Sequence, residues 1–224
     1  MDPIIVVKIG GSLALHPQKL RSLCAKLSET SKKHRLIVVP GGGEFADTVR
    51  NLDKRFSLSP AVAHRMAILG MDQYGLMLSN LIPNSRLATT LNDLQKTMDS
   101  GRLTVFLPSA SLVAEDALKN SWDVTSDSIT VFIALKLHSA RVILATDVDG
   151  VFTRDPKKFP EAKLLRKLSA AELLRMGDRT SVDKFLPQLL LQSPMECYVV
   201  SGFYPGRVEA ILNLKETICT QITQ

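Results

Sequence analysis

Nine residues near the N-terminus, Ile4-Ile5-Val6-Val7-Lys8-Ile9-Gly10-Gly11-Ser12, restrict what this chain can fold into more than any other stretch. Before the glycines the run is aliphatic and mostly branched at Cβ, the composition of a strand buried on both faces of a parallel sheet. Lys8 breaks the pattern. A lysine near the C-terminal end of such a strand either points into the crevice where open α/β sheets bind ligands or snorkels to solvent. Gly10 and Gly11 allow close backbone approach and expose N–H groups to an anion, which makes phosphate the candidate ligand. Gly-Gly also serves as a plain strand-to-helix turn, and this stretch alone leaves both readings open.

The unit then recurs. Pro17 can open a helix, and Leu20, Leu23, Cys24 and Leu27 follow at the spacing of one apolar face. A second buried strand, 35–40, runs straight into Gly41, Gly42 and Gly43, with Phe45, Val49, Leu52 and Phe56 as the next helical stripe. A right-handed crossover between two such units sets both glycine loops side by side at one edge of the sheet. From Ser59-Pro60 to about 81 the chain is apolar on most faces and predicts a largely buried helix. Its polar members, His64, Arg65, Asp72, Gln73 and Tyr74, then line a pocket or find partners in the core. A short strand is expected at 103–107 and an irregular loop or hairpin at 111–121.

Thr125 or Ser126 is the natural N-cap of an apolar helix over 129–135. That places Asp127 in the first turn, where the helix dipole favours a carboxylate, whether as cap or as catalytic group. The buried strand 141–146 leads into Asp147, Asp149, Gly150 and then Asp155-Pro156. Asp-Gly and Asp-Pro are ordinary turn signals, yet they leave three aspartates grouped after a strand end unexplained. Ser169 and Glu172 have capping-box spacing before a helix that Gly177 ends. A further helix opens around Val182, Asp183, Lys184 and Phe185, followed by a strand at 197–202, a helix at 205–214 and a last strand at 217–222. Strands alternating with helices predict one three-layer α/β/α sandwich on a mainly parallel sheet of about eight strands, spanning 1–224 as a single domain.

Lys and Arg outnumber Asp and Glu by 28 to 22, which suits an anionic partner. The charge is scattered and only 5% of residues are aromatic, so a small anionic, phosphorylated substrate is expected rather than nucleic acid. No run approaches a membrane span, and the N-terminal apolar run is too short for a signal segment. Cys24, Cys197 and Cys219 are odd in number and lack metal-ligand spacing; they read as packed, reduced thiols in a cytoplasmic protein, with no metal site built from side chains.

Taken together, Val7-Lys8-Ile9-Gly10-Gly11-Ser12, Pro40-Gly41-Gly42-Gly43, the Ser126-Asp127 helix start, Ala145-Thr146-Asp147-Val148-Asp149-Gly150-Val151-Phe152 with Asp155-Pro156, and the late Lys184 resemble the amino acid kinase family in content and order. The resemblance implies an ATP-dependent, magnesium-assisted kinase that assembles as a homodimer or larger homo-oligomer. Its N-terminal lobe, about 1–135, would bind the phosphoryl acceptor, and its C-terminal lobe, about 136–224, the nucleotide. It further implies that Lys8 stabilises the transferring phosphoryl group, that Asp127 orients the lysines, and that Lys184 neutralises the leaving oxygens. Gly10, Gly11, Gly42 and Gly43 would supply N–H groups to phosphates, while Thr146, Asp147, Gly150, Phe152 and Asp155 would surround the nucleotide. Neither glycine loop is a Walker motif.

Within the family, the phrases from Ala63 to Gly75 and from Trp122 to Ser128 look most like kinases that convert 5-(aminomethyl)furan-3-yl methyl phosphate to its diphosphate in methanofuran synthesis. Isopentenyl phosphate kinases carry a histidine soon after the second glycine loop, where this chain has Glu44-Phe45-Ala46-Asp47. Uridylate kinases are expected to carry a different loop in place of the Trp122 segment. For an acceptor with a flat ring, a phosphate and an ammonium, Trp122 would stack on the ring, Asp72 or Asp123 would pair with the ammonium, and Arg50 would reach the phosphate. Residue types alone equally allow Trp122 as packing, Asp123 as a cap and Arg50 as a solvated helix residue. A non-catalytic nucleotide- or anion-binding protein on the same scaffold is the reading from another class.

Overall fold

Strands that are apolar on both faces need cover on both faces, and this chain supplies it with helices. The structure, a computed structural model, describes residues 3–98, 102–115, 118–177 and 181–224. The strands are β1 (Ile4–Ile9), β2 (Arg35–Pro40), β3 (Arg86–Ala88), β4 (Thr104–Phe106), β5 (Arg141–Thr146), β6 (Val151–Phe152), β7 (Leu164–Leu165), β8 (Lys167–Ser169), β9 (Glu196–Ser201) and β10 (Thr220–Thr223). The helices are α1 (Pro17–Thr30), α2 (Gly43–Phe56), α3 (Pro60–Leu81), α4 (Leu91–Met98), α5 (Ser109–Glu115), α6 (Ser126–Lys136), α7 (Ala170–Met176), α8 (Leu186–Leu190) and α9 (Pro205–Leu212).

Eight strands form the main sheet in the order β3-β4-β2-β1-β5-β9-β10-β8, parallel from β3 to β9, with β10 antiparallel to β9. The expected eight-stranded, mainly parallel α/β sandwich is therefore present. The chain builds outward from β1 on one side through β2, then returns to place β5 on the other. That reversal makes β1 and β5 the topological switch point, where the carboxyl ends of parallel strands leave a crevice for ligands. Lys8 and Thr146 both lie at that end.

Alternate residues of the central strands feed two cores. Val6, Ile37, Val39, Val142 and Leu144 pack under α6, α7 and α8, whereas Ile5, Val7, Leu36, Val38 and Ile143 pack under α1 and α9. Lys8 shares the α6 face with Val6, two residues along the pleat, which brings it to the start of α6. Among the described residues no helix is long and apolar enough to cross a membrane.

Several local expectations need correction. Segment 109–115 is a helix rather than a loop, because Asp72 on α3 accepts hydrogen bonds from the Ser109 N–H at 3.2 Å and from its hydroxyl. α3 is buried along one side only; Val62, Leu69, Leu76 and Met77 are exposed. The α2 stripe is likewise incomplete, since Val49 is buried but Phe45 and Phe56 face outward. β3 and α4 had no counterpart in the sequence reading, a three-residue strand being too short to show alternation.

Candidate active site

The first glycine loop leaves β1 at the switch point, the second leaves the neighbouring β2, and the two press against each other. A Cβ on Gly11 would lie 2.1 Å from the backbone nitrogen of Gly43, and one on Gly41 2.6 Å from that of Gly11. Gly43 itself adopts a left-handed φ of 54°, at the first turn of α2. The sheet ladder runs on past the strand ends, and Gly41 donates its N–H to the Ile9 carbonyl at 2.8 Å. Gly10 likewise donates to the Ala145 carbonyl at 2.8 Å, so its N–H is already spent and is not available to a phosphate as expected. The buried Tyr74 hydroxyl donates to the Gly10 carbonyl at 3.3 Å, fixing the loop from α3.

Lys8 and Asp127 meet at the floor of the site. Both are buried, and the Lys8 ammonium lies 2.5 Å from Asp127 Oδ1. Thr125 caps α6 through Oγ1, which accepts from the Asp127 N–H at 3.5 Å and holds that carboxylate in the first turn. Two crevices meet here: Asp127 lines both, and Lys8 lines the one on the side of the glycine loops.

On the side of the glycine loops, a crevice of about 610 Å³ is lined by Lys8, Gly11, Gly42, Gly43, Arg50 and Trp122 among others. The Arg50 guanidinium lies 4.6 Å from the Trp122 ring centroid and pairs with Asp47 at 2.6 Å. Trp122 in turn donates its indole N–H to Asp53 at 2.8 Å. Arg50 thus covers one face of the ring. Asp72 and Asp123, the expected ammonium partners, do not line this crevice; Asp72 is committed to Ser109, and exposed Asp123 contacts Ser121. Glu44, Asp47 and the buried His64 line it instead. Burial raises the Asp72 carboxyl pKa against the pull of the Ser109 bonds.

On the other side, a crevice of about 720 Å³ is lined by Thr146, Asp147, Phe152, Asp155, Lys157, Met176, Ser181 and Val182 among others. Burial works to raise the Asp147 pKa, but the Lys157 ammonium at 2.5 Å outweighs it and holds that carboxyl below the usual range. Gly150 lies outside this crevice: a Cβ there would meet Thr220 Oγ1 at 2.3 Å, so the glycine serves close packing against β10. Lys184 is exposed and stands in neither crevice. It borders a surface cavity with Leu173, Leu174 and Pro187.

The profile of the amino acid kinase family matches residues 3–201. The chain belongs to that family. It is 38% identical over 217 residues to [5-(aminomethyl)furan-3-yl]methyl phosphate kinase of Methanocaldococcus jannaschii, covering 97% of this chain and 96% of that protein. A uridylate kinase of Thermofilum pendens is 28% identical, over 92% of this chain and 91% of its own. Among solved structures, the UMP kinase of Ureaplasma parvum superposes with a TM-score of 0.78 at 19% identity, over 100% of both chains, a likeness of fold.

His64, one of the α3 polar residues expected to line a pocket or find a core partner, does line this crevice on the glycine-loop side. Glu44 and Asp47 stand out as lining residues only once α2 is packed; their one sequence signal was position, at the start of the helix that follows the second glycine loop.

Proposed function

We propose that this protein transfers the γ-phosphoryl group of ATP to the phosphate of a small monoester, making a diphosphate, and that the acceptor is [5-(aminomethyl)furan-3-yl]methyl phosphate. The observation that carries this reading is the buried Lys8–Asp127 pair, in which Asp127 is shared by two crevices and Lys8 lines the one bordered by the glycine loops. Phosphoryl transfer through a loose transition state needs in-line alignment and fixed positive charge more than a general base. A lysine held at the meeting point of donor and acceptor supplies both.

The lobe of about 136–224 takes the donor. Phe152, Val148 and Met176 offer apolar wall to a base, Asp155 a polar edge to a ribose, and the volume suits a nucleotide-sized ligand. Mg²⁺ would enter with the nucleotide, held largely by its phosphates and water. With the nucleotide bound, that ion would supply charge neutralisation to the donor oxygens. Lys184 reaches the leaving oxygens only if the segment around it swings inward, whereas Lys157 already lines the donor crevice.

The lobe of about 1–135 takes the acceptor. Backbone N–H groups of Gly11, Gly42 and Gly43, with the N-terminus of α2, hold its phosphate. Glu44 and Asp47 take over the ammonium role first given to Asp72 and Asp123, and the Trp122–Arg50 stack forms a wall for the flat ring. The reading is supported by the 38% identity to the Methanocaldococcus jannaschii enzyme.

ADP release measured with a panel of phosphomonoesters separates an enzyme from a binding protein on this fold. Acceptor-dependent ADP release is expected. Tight nucleotide binding with no release on any acceptor would favour the binding protein.

A homodimer completes the proposal. Val62, Leu69 and Leu76 recur every seven residues on the outer side of α3 and are 47%, 46% and 52% exposed, an apolar stripe suited to a second copy. Sedimentation should show a dimer that Leu69→Glu with Leu76→Glu converts to monomer; a monomeric parent would overturn this assembly.

A further inference from the structure

Asp183 is buried at 3% exposure and stands outside both crevices, yet it accepts more hydrogen bonds than any site carboxylate described above. One oxygen, Oδ2, accepts from the Thr125 N–H at 2.8 Å, the Thr125 hydroxyl at 2.8 Å and the Ser128 N–H at 3.0 Å. The other, Oδ1, accepts from the Ser128 hydroxyl at 2.5 Å and from the Phe185 and Leu186 N–H groups at 3.1 and 2.9 Å.

The two ends of this carboxylate serve different parts of the site. Thr125 and Ser128 flank Asp127 at the start of α6, and Asp127 holds Lys8. Phe185 and Leu186 begin α8, shortly after Ser181 and Val182, which line the donor crevice. Burial, with Asp127 nearby adding to it, raises the Asp183 pKa. A carboxylate kept in that setting by six donors costs desolvation that simple packing would not require.

We propose that Asp183 is a positioning residue that ties the α6 start, and through Asp127 the Lys8 ammonium, to the segment bordering the donor crevice. The tie sets the distance between the charge that stabilises the transferring group and the wall that seats the donor. This rests on the kinase reading of the site. Misplacement of such a group by about 1 Å can cost about a hundredfold in rate without weakening ground-state binding.

Asp183→Asn is the direct test, because an amide has one acceptor oxygen. Whichever way it is turned, its NH₂ faces either the Thr125 and Ser128 N–H groups or those of Phe185 and Leu186, and one tether must open. The expected result is kcat lowered by about a hundredfold, with KM for ATP and for the acceptor within about threefold. Hydrogen exchange at amides of 125–128 and 185–186 should accelerate in the same variant. A kcat within about threefold of the parent, or a loss expressed wholly in KM, would overturn the proposal.

If Asp183→Asn does not fold, Ser128→Ala removes a single hydroxyl donor and should still lower kcat severalfold at unchanged KM; parental kcat there would overturn the proposal. Failure of the parent to turn over any acceptor would instead sink the kinase reading. The exchange measurement then decides the tether alone: unchanged protection at both segments refutes it.

Discussion

Lys8→Ala is expected to lower kcat by about a hundredfold or more, the loss typical of removing one preorganised donor from developing negative charge. The side chain rises from a strand paired on both sides, with Lys8 opposite Val39 on β2 and Leu144 on β5, so it has little freedom to drift. Its ammonium waits in the site with its counter-charge in place, and no reorganisation is needed when phosphoryl charge develops. Removing it leaves Asp127 buried without a cation and near Asp183, a situation that costs about 3–5 kcal/mol of stability. Stability and rate are therefore measured together. In the Lys8→Ala background, Asp127→Asn should change kcat by less than about threefold, because Asp127 acts on the reaction through Lys8. Additive losses from the two substitutions would give Asp127 an independent role.

Gly11→Ala is expected to be nearly as damaging, for a different reason. The new Cβ would fall 2.1 Å from Gly43 N and 2.2 Å from Gly43 Cα, both backbone atoms. Neither can rotate away. The two loops must separate, which costs about 1–3 kcal/mol as overpacking and moves the N–H groups of Gly42 and Gly43 away from the place proposed for the acceptor phosphate. Turnover should fall about a hundredfold, with the acceptor KM raised and the ATP KM less affected. Gly206→Ala serves as the control, since nothing lies within 4 Å of a Cβ at that position. Equal activity of Gly11→Ala and Gly206→Ala would show that the loops need not touch.

The fold was legible because its signals are local and repeated. Branched aliphatic strands running into glycine, then helices with one apolar face, dictate a parallel sheet covered on both sides. Capping chemistry was legible too: Thr125 caps α6, and Ser169 with Glu172 forms a capping box on α7. What escaped depends on contacts distant in sequence. The α5 helix is capped by Asp72, 37 residues earlier, so nothing within 109–115 announces it. Gly10 looks like a phosphate donor until β5 arrives and takes its N–H. Asp183 looks like an ordinary helix-start residue until α6, 55 residues earlier in the chain, delivers Ser128 to it. The α3 face reads as core by composition because its exposed Val62, Leu69 and Leu76 are of the same residue types as an interior.

The identity of the acceptor is tested most directly by a coupled ADP assay offering [5-(aminomethyl)furan-3-yl]methyl phosphate, UMP and isopentenyl phosphate side by side. The crevice presents Glu44 and Asp47 to a cationic end and the Trp122–Arg50 stack to a flat ring, features that neither alternative acceptor uses together. The account predicts that kcat/KM for the aminomethylfuran phosphate exceeds that for either alternative by about tenfold or more, about 1.4 kcal/mol of transition-state discrimination. Equal or higher kcat/KM with UMP or isopentenyl phosphate would contradict it.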